Sequence, residues 1–280
     1  MDAVLISFDL EVASDRQKLE TSAEDLIITQ IGFASLDTRD IDVLSSSSDL
    51  SRLISVAMYV VKSKAKSKKA ARKQERECIF APARSILQDQ VVATIARHLR
   101  IPDDLRRGQA EDNLRAVVLV GNSIGEDLRF LRCLGMDIAA FAPMRLIVVD
   151  THTVARFVLP PYHPNLRVPP GHSFSLAGIL AQLGYHPRLD VFHNAGNDAV
   201  YSLYATLLLV VERGAARELE LGITERIRLQ YIRRAVSKVL EQSFAIESPD
   251  AQPLYPPVMI MLGAGLREIA SALVPRPAEP

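Results

Sequence analysis

The sequence predicts a single α/β domain in which a mixed sheet is flanked by helices. Two features carry that expectation. Three strand-like segments come first and in succession, which suggests an antiparallel meander, and after one helix the chain alternates strand with helix, which suggests parallel pairing. With 280 residues and 48% hydrophobic content, the chain has enough apolar surface to bury a sizeable core.

Residues 3–8 are a short apolar run that reads as the first strand, and residues 26–36, with Gly32 inside, read as the second. An acidic and polar stretch, 14–25, joins them. Ile54, Val56, Met58 and Val60 alternate with Ser55, Ala57, Tyr59 and Val61, which predicts a third strand ending at Lys62. Residues 62–76 then carry eight basic side chains among Ala, Ser and Gln, a composition too polar to pack, and read as a solvated loop.

Over 85–99, the apolar positions Ile86, Val91, Val92, Ile95, Ala96 and Leu99 recur at helical spacing, and Pro102 ends the segment. A charged link, 103–113, leads to a buried strand at 116–120 that runs into Gly121-Asn122-Ser123. The helix expected there carries the stripe Ile124, Leu128, Leu131 and Leu134, with Gly135 as its closing residue. A strand at 146–149 and a short helix at 153–158 follow, the latter stopped by Pro160-Pro161. Five prolines within 160–172 mark a loop, and 175–183 is a helix closed by Gly184.

Residues 195–211 are apolar on nearly every side, which predicts a helix buried between other elements. Residues 225–242 predict a second long helix, basic on one face through Arg226, Arg228, Arg233, Arg234 and Lys238. The expected division is a domain over 1–212, a helical extension over 213–247 and a proline-rich, poorly ordered tail over 248–280.

Lys plus Arg and Asp plus Glu both total 33, so attraction to a polyanion has to come from local patches and not from net charge. Cys78 and Cys133 form neither a disulfide framework nor a metal-type spacing, which fits a reducing compartment. The first residues have no basic leader, and no apolar run approaches the length of a membrane span. The expectation is a soluble, intracellular protein.

The carboxylates are the part of the sequence that needs a chemical explanation. Asp9 and Glu11 end an apolar strand, and a spacing of two turns both side chains to one face. Like charges held together and partly desolvated need a cation, a proton or a basic partner, and Mg²⁺ or Mn²⁺, which prefer oxygen ligands, meet that need economically. An isolated Asp-x-Glu also reads as a strand end with a solvated glutamate. Asp127 shares the inward stripe of Ile124 and Leu131, although an acid near a helix N-terminus is also favoured by the helix dipole. Asp198 opens the apolar helix with no basic neighbour in sequence. His193 lies five residues earlier, across the small-residue link Asn194-Ala195-Gly196-Asn197, and an imidazole beside a metal-binding acid is a candidate general base.

Together, Phe8-Asp9-Leu10-Glu11, residues 28–32 (Ile-Thr-Gln-Ile-Gly), Val120-Gly121-Asn122 leading to Asp127-Leu128-Arg129-Phe130-Leu131, and His193-Asn194-Ala195-Gly196-Asn197-Asp198-Ala199 resemble the DEDDh superfamily of 3′ to 5′ exonucleases. The wording of the last segment is most similar to a fungal branch related to a yeast protein linked genetically to mRNA export. The resemblance covers about residues 3–212 and implies a ribonuclease H-like fold. It implies that Asp9, Glu11, Asp127 and Asp198 hold two Mg²⁺ or Mn²⁺ ions, and that His193 deprotonates the water attacking the terminal phosphodiester. The implied partner is single-stranded nucleic acid, RNA slightly favoured over DNA, and the implied products are nucleoside 5′-monophosphates. The chain departs from the family where a His-Asn pair often precedes the second motif: it has Gly121-Asn122-Ser123.

Other polar residues read as structural. Asp150 and His152 sit at a strand exit, where a helix cap is expected, and His172 and His186 flank a helix and are expected to be exposed. Asp190 is a loop residue that could stand behind His193. The basic run at 62–76 reads equally as a phosphate grip, an import signal or a solvated loop. Two other functions compete with the exonuclease: a non-catalytic adaptor that keeps the nuclease fold, and a metal-dependent phosphatase for small esters, which would need a closed pocket.

Overall fold

The computed structural model describes residues 3–13, 27–41, 50–62, 77–103, 114–138, 146–159, 174–185, 188–216 and 223–244. The basic run from 63 to 76, the proline-rich segment 160–172 with His172, His186, and the tail from 248 lie outside the described residues.

Six strands form one mixed sheet: β1 (Ala3–Val12), β2 (Ile28–Asp37), β3 (Ile54–Lys62), β4 (Ala83–Leu87), β5 (Ala116–Gly121) and β6 (Leu146–Asp150), in the order β4-β3-β2-β1-β5-β6. β1, β2 and β3 are the antiparallel meander that three successive strand patterns predict. β5 joins β1 in parallel, β6 joins β5 in parallel, and β4 lies parallel to β3 at the far edge. A meander continued by parallel strands and covered by helices is the ribonuclease H-like arrangement expected from the sequence.

Among the described residues, six helices longer than one turn accompany the sheet: α1 (Val91–Leu99), α2 (Gly125–Cys133), α3 (Thr151–Val158), α4 (Leu176–Gln182), α5 (Ala195–Ala216) and α6 (Ile223–Phe244). Single turns at Thr38–Ile41 and Leu50–Leu53 flank the β2–β3 connection. The stripe Ile124, Leu131 and the αL residue Gly135 (φ 76°) stand as predicted, with Met136 N–H returning to Leu131 O at 2.9 Å to close α2.

The helix expected over 85–99 is shorter than its apolar pattern. Residues 83–87 are strand β4, and the helix begins at Val91 after a single turn at Gln88–Gln90. Ile86 pairs with Val61 and contributes to the core from the sheet, so its coincidence with helical spacing is a short apolar run read in the wrong period. The first strand in turn runs four residues past its predicted end at Phe8, so Asp9 and Glu11 lie inside the sheet and are paired with Gly32 and Gln30.

The alternation along β1 divides the core. Val4, Ile6, Phe8 and Leu10 face a cluster with α1 and α2, whereas the opposite face meets α5, whose Val200, Leu203, Tyr204 and Leu207 are buried. α5 is apolar all round because α4 and α6 cover its other sides with Ile179, Leu180, Val236 and Leu240. Asp9 and Glu11 belong to the α5 side of the strand. No helix among the described residues is long and apolar enough to cross a membrane.

Candidate active site

The site forms where β1 outruns its parallel neighbour. β5 pairs with β1 as far as Ser7 and Val120, then turns away through Gly121 and a tight turn at Ser123 (φ 60°) into α2. Gly121 permits this turn: a Cβ there would lie 2.9 Å from the Phe8 carbonyl oxygen. With β5 gone, the edge of β1 needs another acceptor. Asp127, in the first turn of α2, supplies it: its Oδ1 accepts the Leu10 backbone N–H at 3.0 Å.

Asp127 is buried, and burial pushes its carboxyl up to about 7, with the negative charges of Glu11 and Glu126 adding to the rise and the Leu10 N–H opposing it. An acid in this state stands between two resolutions: it keeps its proton, or it shares a cation with Glu11.

The second wall is the N-terminus of α5. Asn194 caps the helix, its side-chain Oδ1 accepting from Asn197 N–H at 3.1 Å and its carbonyl from Asp198 N–H at 2.9 Å. Ala195 N–H donates to Gln30 Oε1 on β2 at 3.0 Å, and Gly32, the cross-strand partner of Asp9, lies against the Ala195 carbonyl. These contacts bring the first turn of α5 down onto β1 and β2. Asp198 Oδ2 there accepts the His193 backbone N–H at 2.9 Å. His193 itself adopts φ 60°, the left-handed region, on the exposed rim.

Ligand atoms of Glu11, His193 and Asp198 lie within 4.8 Å of one another. Asp9 and Asp127 fall outside that group of three but flank it, Asp9 two residues from Glu11 on the same strand face and Asp127 on the Leu10 N–H between them. The structure thus gathers all five sequence-predicted residues around the second half of β1. The donor set fits a divalent ion of the Mg²⁺ or Mn²⁺ type, since carboxylates predominate and one of them is desolvated beside another negative charge.

The residues read as structural behave so. Asp150 caps α3 through His152 N–H at 3.1 Å and Thr153 Oγ1 at 3.0 Å, and also accepts Ser123 N–H at 2.8 Å. Asp190 is ion-paired with Arg188 on the surface, and His152 tilts against Phe174. Arg233 of the basic helix is ion-paired with Glu212. Gln30, Asn194 and Asn197, all fully buried, support the site without being marked out for that role in the sequence. Only Gln30 carries a local signal, a long polar side chain in the mainly apolar segment 26–36, whereas Asn194 and Asn197 lie in a polar link that hides their burial.

Residues 4–209 match the family model DEDDh_C: DNA polymerase III subunit epsilon-like, C-terminal domain. A solved structure of exonuclease I is similar over 74% of this chain and 40% of that one, at 13% identity and a TM-score of 0.45. The chain therefore spans well under half the length of that protein. No curated protein matches it.

Proposed function

The chain belongs to the DEDDh family, DNA polymerase III subunit epsilon-like, and from that membership we propose that it is a metal-dependent 3′ to 5′ exonuclease acting on single-stranded nucleic acid. The observation that carries the reading is the meeting of Glu11, Asp198 and His193 within 4.8 Å beside the desolvated carboxyl of Asp127. Such a site, in which carboxylates predominate beside an imidazole, suits metal-assisted in-line displacement at a phosphodiester.

In this reading Asp9, Glu11, Asp127 and Asp198 would hold two divalent ions, Mg²⁺ or Mn²⁺, whose positive charge would offset the negative charge that develops on the phosphodiester. His193, on the exposed rim, takes the proton from the attacking water. The P–O3′ bond breaks, leaving a 3′-hydroxyl on the shortened strand and releasing a nucleoside 5′-monophosphate. Asp198 supports His193 by fixing its backbone N–H, and Gln30 keeps the helix bearing Asp198 seated on the sheet. RNA is the first substrate to test and DNA the second, in line with the resemblance of residues 193–199 to a fungal branch related to a yeast protein linked genetically to mRNA export.

The test is a 5′ end-labelled single strand of each kind, incubated with Mg²⁺ or Mn²⁺, with chelator, and with Asp198→Ala protein. Stepwise shortening that disappears in chelator and in the variant is the expected result. Retained binding with no cleavage under any metal overturns it in favour of the adaptor.

A further inference from the structure

We propose that Asn197 is the positioning residue that aims His193 at the metal-binding carboxylates, an inference that rests on the exonuclease reading for its kinetic half. Asn197 is 0% exposed. Its Nδ2 donates to Val191 O at 2.8 Å and to Glu77 O at 3.2 Å, its Oδ1 accepts Ile79 N–H at 3.0 Å, and its own N–H goes to Asn194 Oδ1 at 3.1 Å. One buried amide therefore uses both its donors and its acceptor, and joins the helix bearing Asp198 to two other backbone segments.

The consequence falls on His193. Its φ of 60° lies in the left-handed region, which is uncommon for any residue but glycine and carries a strain that contacts with its neighbours have to offset. Two of those neighbours are bonded to Asn197: Val191 precedes His193 by two residues, and Asn194 follows it directly. Asp198 holds the His193 N–H between them. The left-handed turn that carries the imidazole toward Glu11 and Asp198 is thus fixed from both sides by a residue that does not line the site.

The side chain is specific to this task. Leucine fills the space and makes none of the three side-chain bonds, keeping only the backbone N–H to Asn194 Oδ1, whereas aspartate keeps the acceptor for Ile79 and turns both donations into oxygen facing carbonyl oxygen. The experiment uses full-length Asn197→Leu and Asn197→Asp proteins, with three readouts: steady-state cleavage, Mn²⁺ affinity, and the imidazole resonances of the metal-free protein. The His193 signal is assigned by its loss in His193→Gln, and the His98 signal, from the opposite core, serves as an internal control.

The expected result is a fall in kcat of about tenfold or more, part of the ~10²–10⁴-fold that a positioned base contributes, with KM and Mn²⁺ affinity within about threefold of wild type. The His193 signal moves or broadens while His98 stays in place. An unmoved His193 signal with undiminished kcat overturns the proposal. So does a variant in which His98 shifts equally and Mn²⁺ affinity collapses, since that marks general loss of structure. Should the wild-type chain cleave nothing, the nuclease reading fails, and the His193 signal with the Mn²⁺ affinity still decides the role of Asn197.

Discussion

A Cβ on Gly32 would lie 1.8 Å from the carbonyl oxygen of Ala195 and 2.5 Å from the amide nitrogen of Gly196. The obstacle is backbone, so neither neighbour can swing aside. Gly32 is the cross-strand partner of Asp9, and Ala195 opens the helix that carries Asp198. The missing side chain is thus what lets the acids of β1 and α5 meet. Gly32→Ala should lift α5 from the sheet, costing at least about 1–3 kcal/mol by overpacking and weakening Mn²⁺ binding by about tenfold or more. Denaturant midpoints together with Mn²⁺ titration check this, and a variant with wild-type values in both would remove the close approach as a requirement.

Asp127 makes the metal-free protein sensitive to pH. Its folded carboxyl titrates near 7, above the unfolded value of 3.8, chiefly through burial. The folded state therefore binds the proton more tightly, and this contribution is fully present below about pH 4 and lost as pH rises through 7. In chelator, stability should fall between pH 5 and pH 8 by about 2–4 kcal/mol from this group. Asp127→Asn, which needs no proton, should lose that fall, and added Mn²⁺ should stabilise wild type more at pH 8 than at pH 5. Urea melts of both proteins at the two pH values test it.

How much of this was legible in the sequence depends on the range of each interaction. The meander, the buried helix at 195 and the C-terminal glycines of α2 and α4 were readable because apolar period and turn chemistry are local. The Asp-x-Glu pair and the acid at 198 were readable because charge in an apolar run is out of place. Strand β4 was misread because its support comes from β3, more than twenty residues earlier, and a five-residue run has no period of its own. The buried amides of Gln30 and Asn197 were not readable as supports, since their partners at Ala195 and at Glu77 and Ile79 lie over a hundred residues away along the chain.

The five gathered residues should separate into two kinds when removed. Asp9→Ala takes a carboxylate from the strand face of the site, and cleavage should disappear together with metal affinity. His193→Ala takes an exposed ring, so the fold and Mn²⁺ affinity should hold while kcat falls about 10²-fold or more. Circular dichroism, Mn²⁺ titration and cleavage on the same preparations distinguish the two. Full activity in Asp9→Ala would falsify the metal mechanism.

His98 gives a pH response of opposite sign, away from the site. Its ring stacks on Phe33 at 4.1 Å between centroids, and its Nε2 lies 2.9 Å from Tyr59 Oη. Burial, helped by the charges of Arg97 and Arg84, lowers its pKa from 6.5 to about 4. A depressed folded value means that the stabilising contribution is present above about pH 6.5 and lost as pH falls through 4. Because the ring is partly exposed, the loss is on the order of 1–2 kcal/mol between pH 7 and pH 4. His98→Phe keeps the stacking surface and should flatten this acid step, as read by denaturation at the two pH values.

Asp150 offers the converse test, an acid near the site whose work is structural. One carboxylate accepts from Ser123 N–H, His152 N–H and Thr153 Oγ1, so it caps α3 and also holds the left-handed turn that leads into α2. Its removal should leave the start of α3 without a side-chain acceptor and loosen the turn ahead of Asp127. Asp150→Ala should therefore cost about 1–2 kcal/mol, the value of a lost cap, with Mn²⁺ affinity within about threefold of wild type. Asp150→Asn keeps one acceptor oxygen and should recover part of that stability. If Asp150→Ala instead abolishes Mn²⁺ binding at unchanged stability, Asp150 belongs with the metal ligands, and the boundary drawn between capping acids and site acids is wrong.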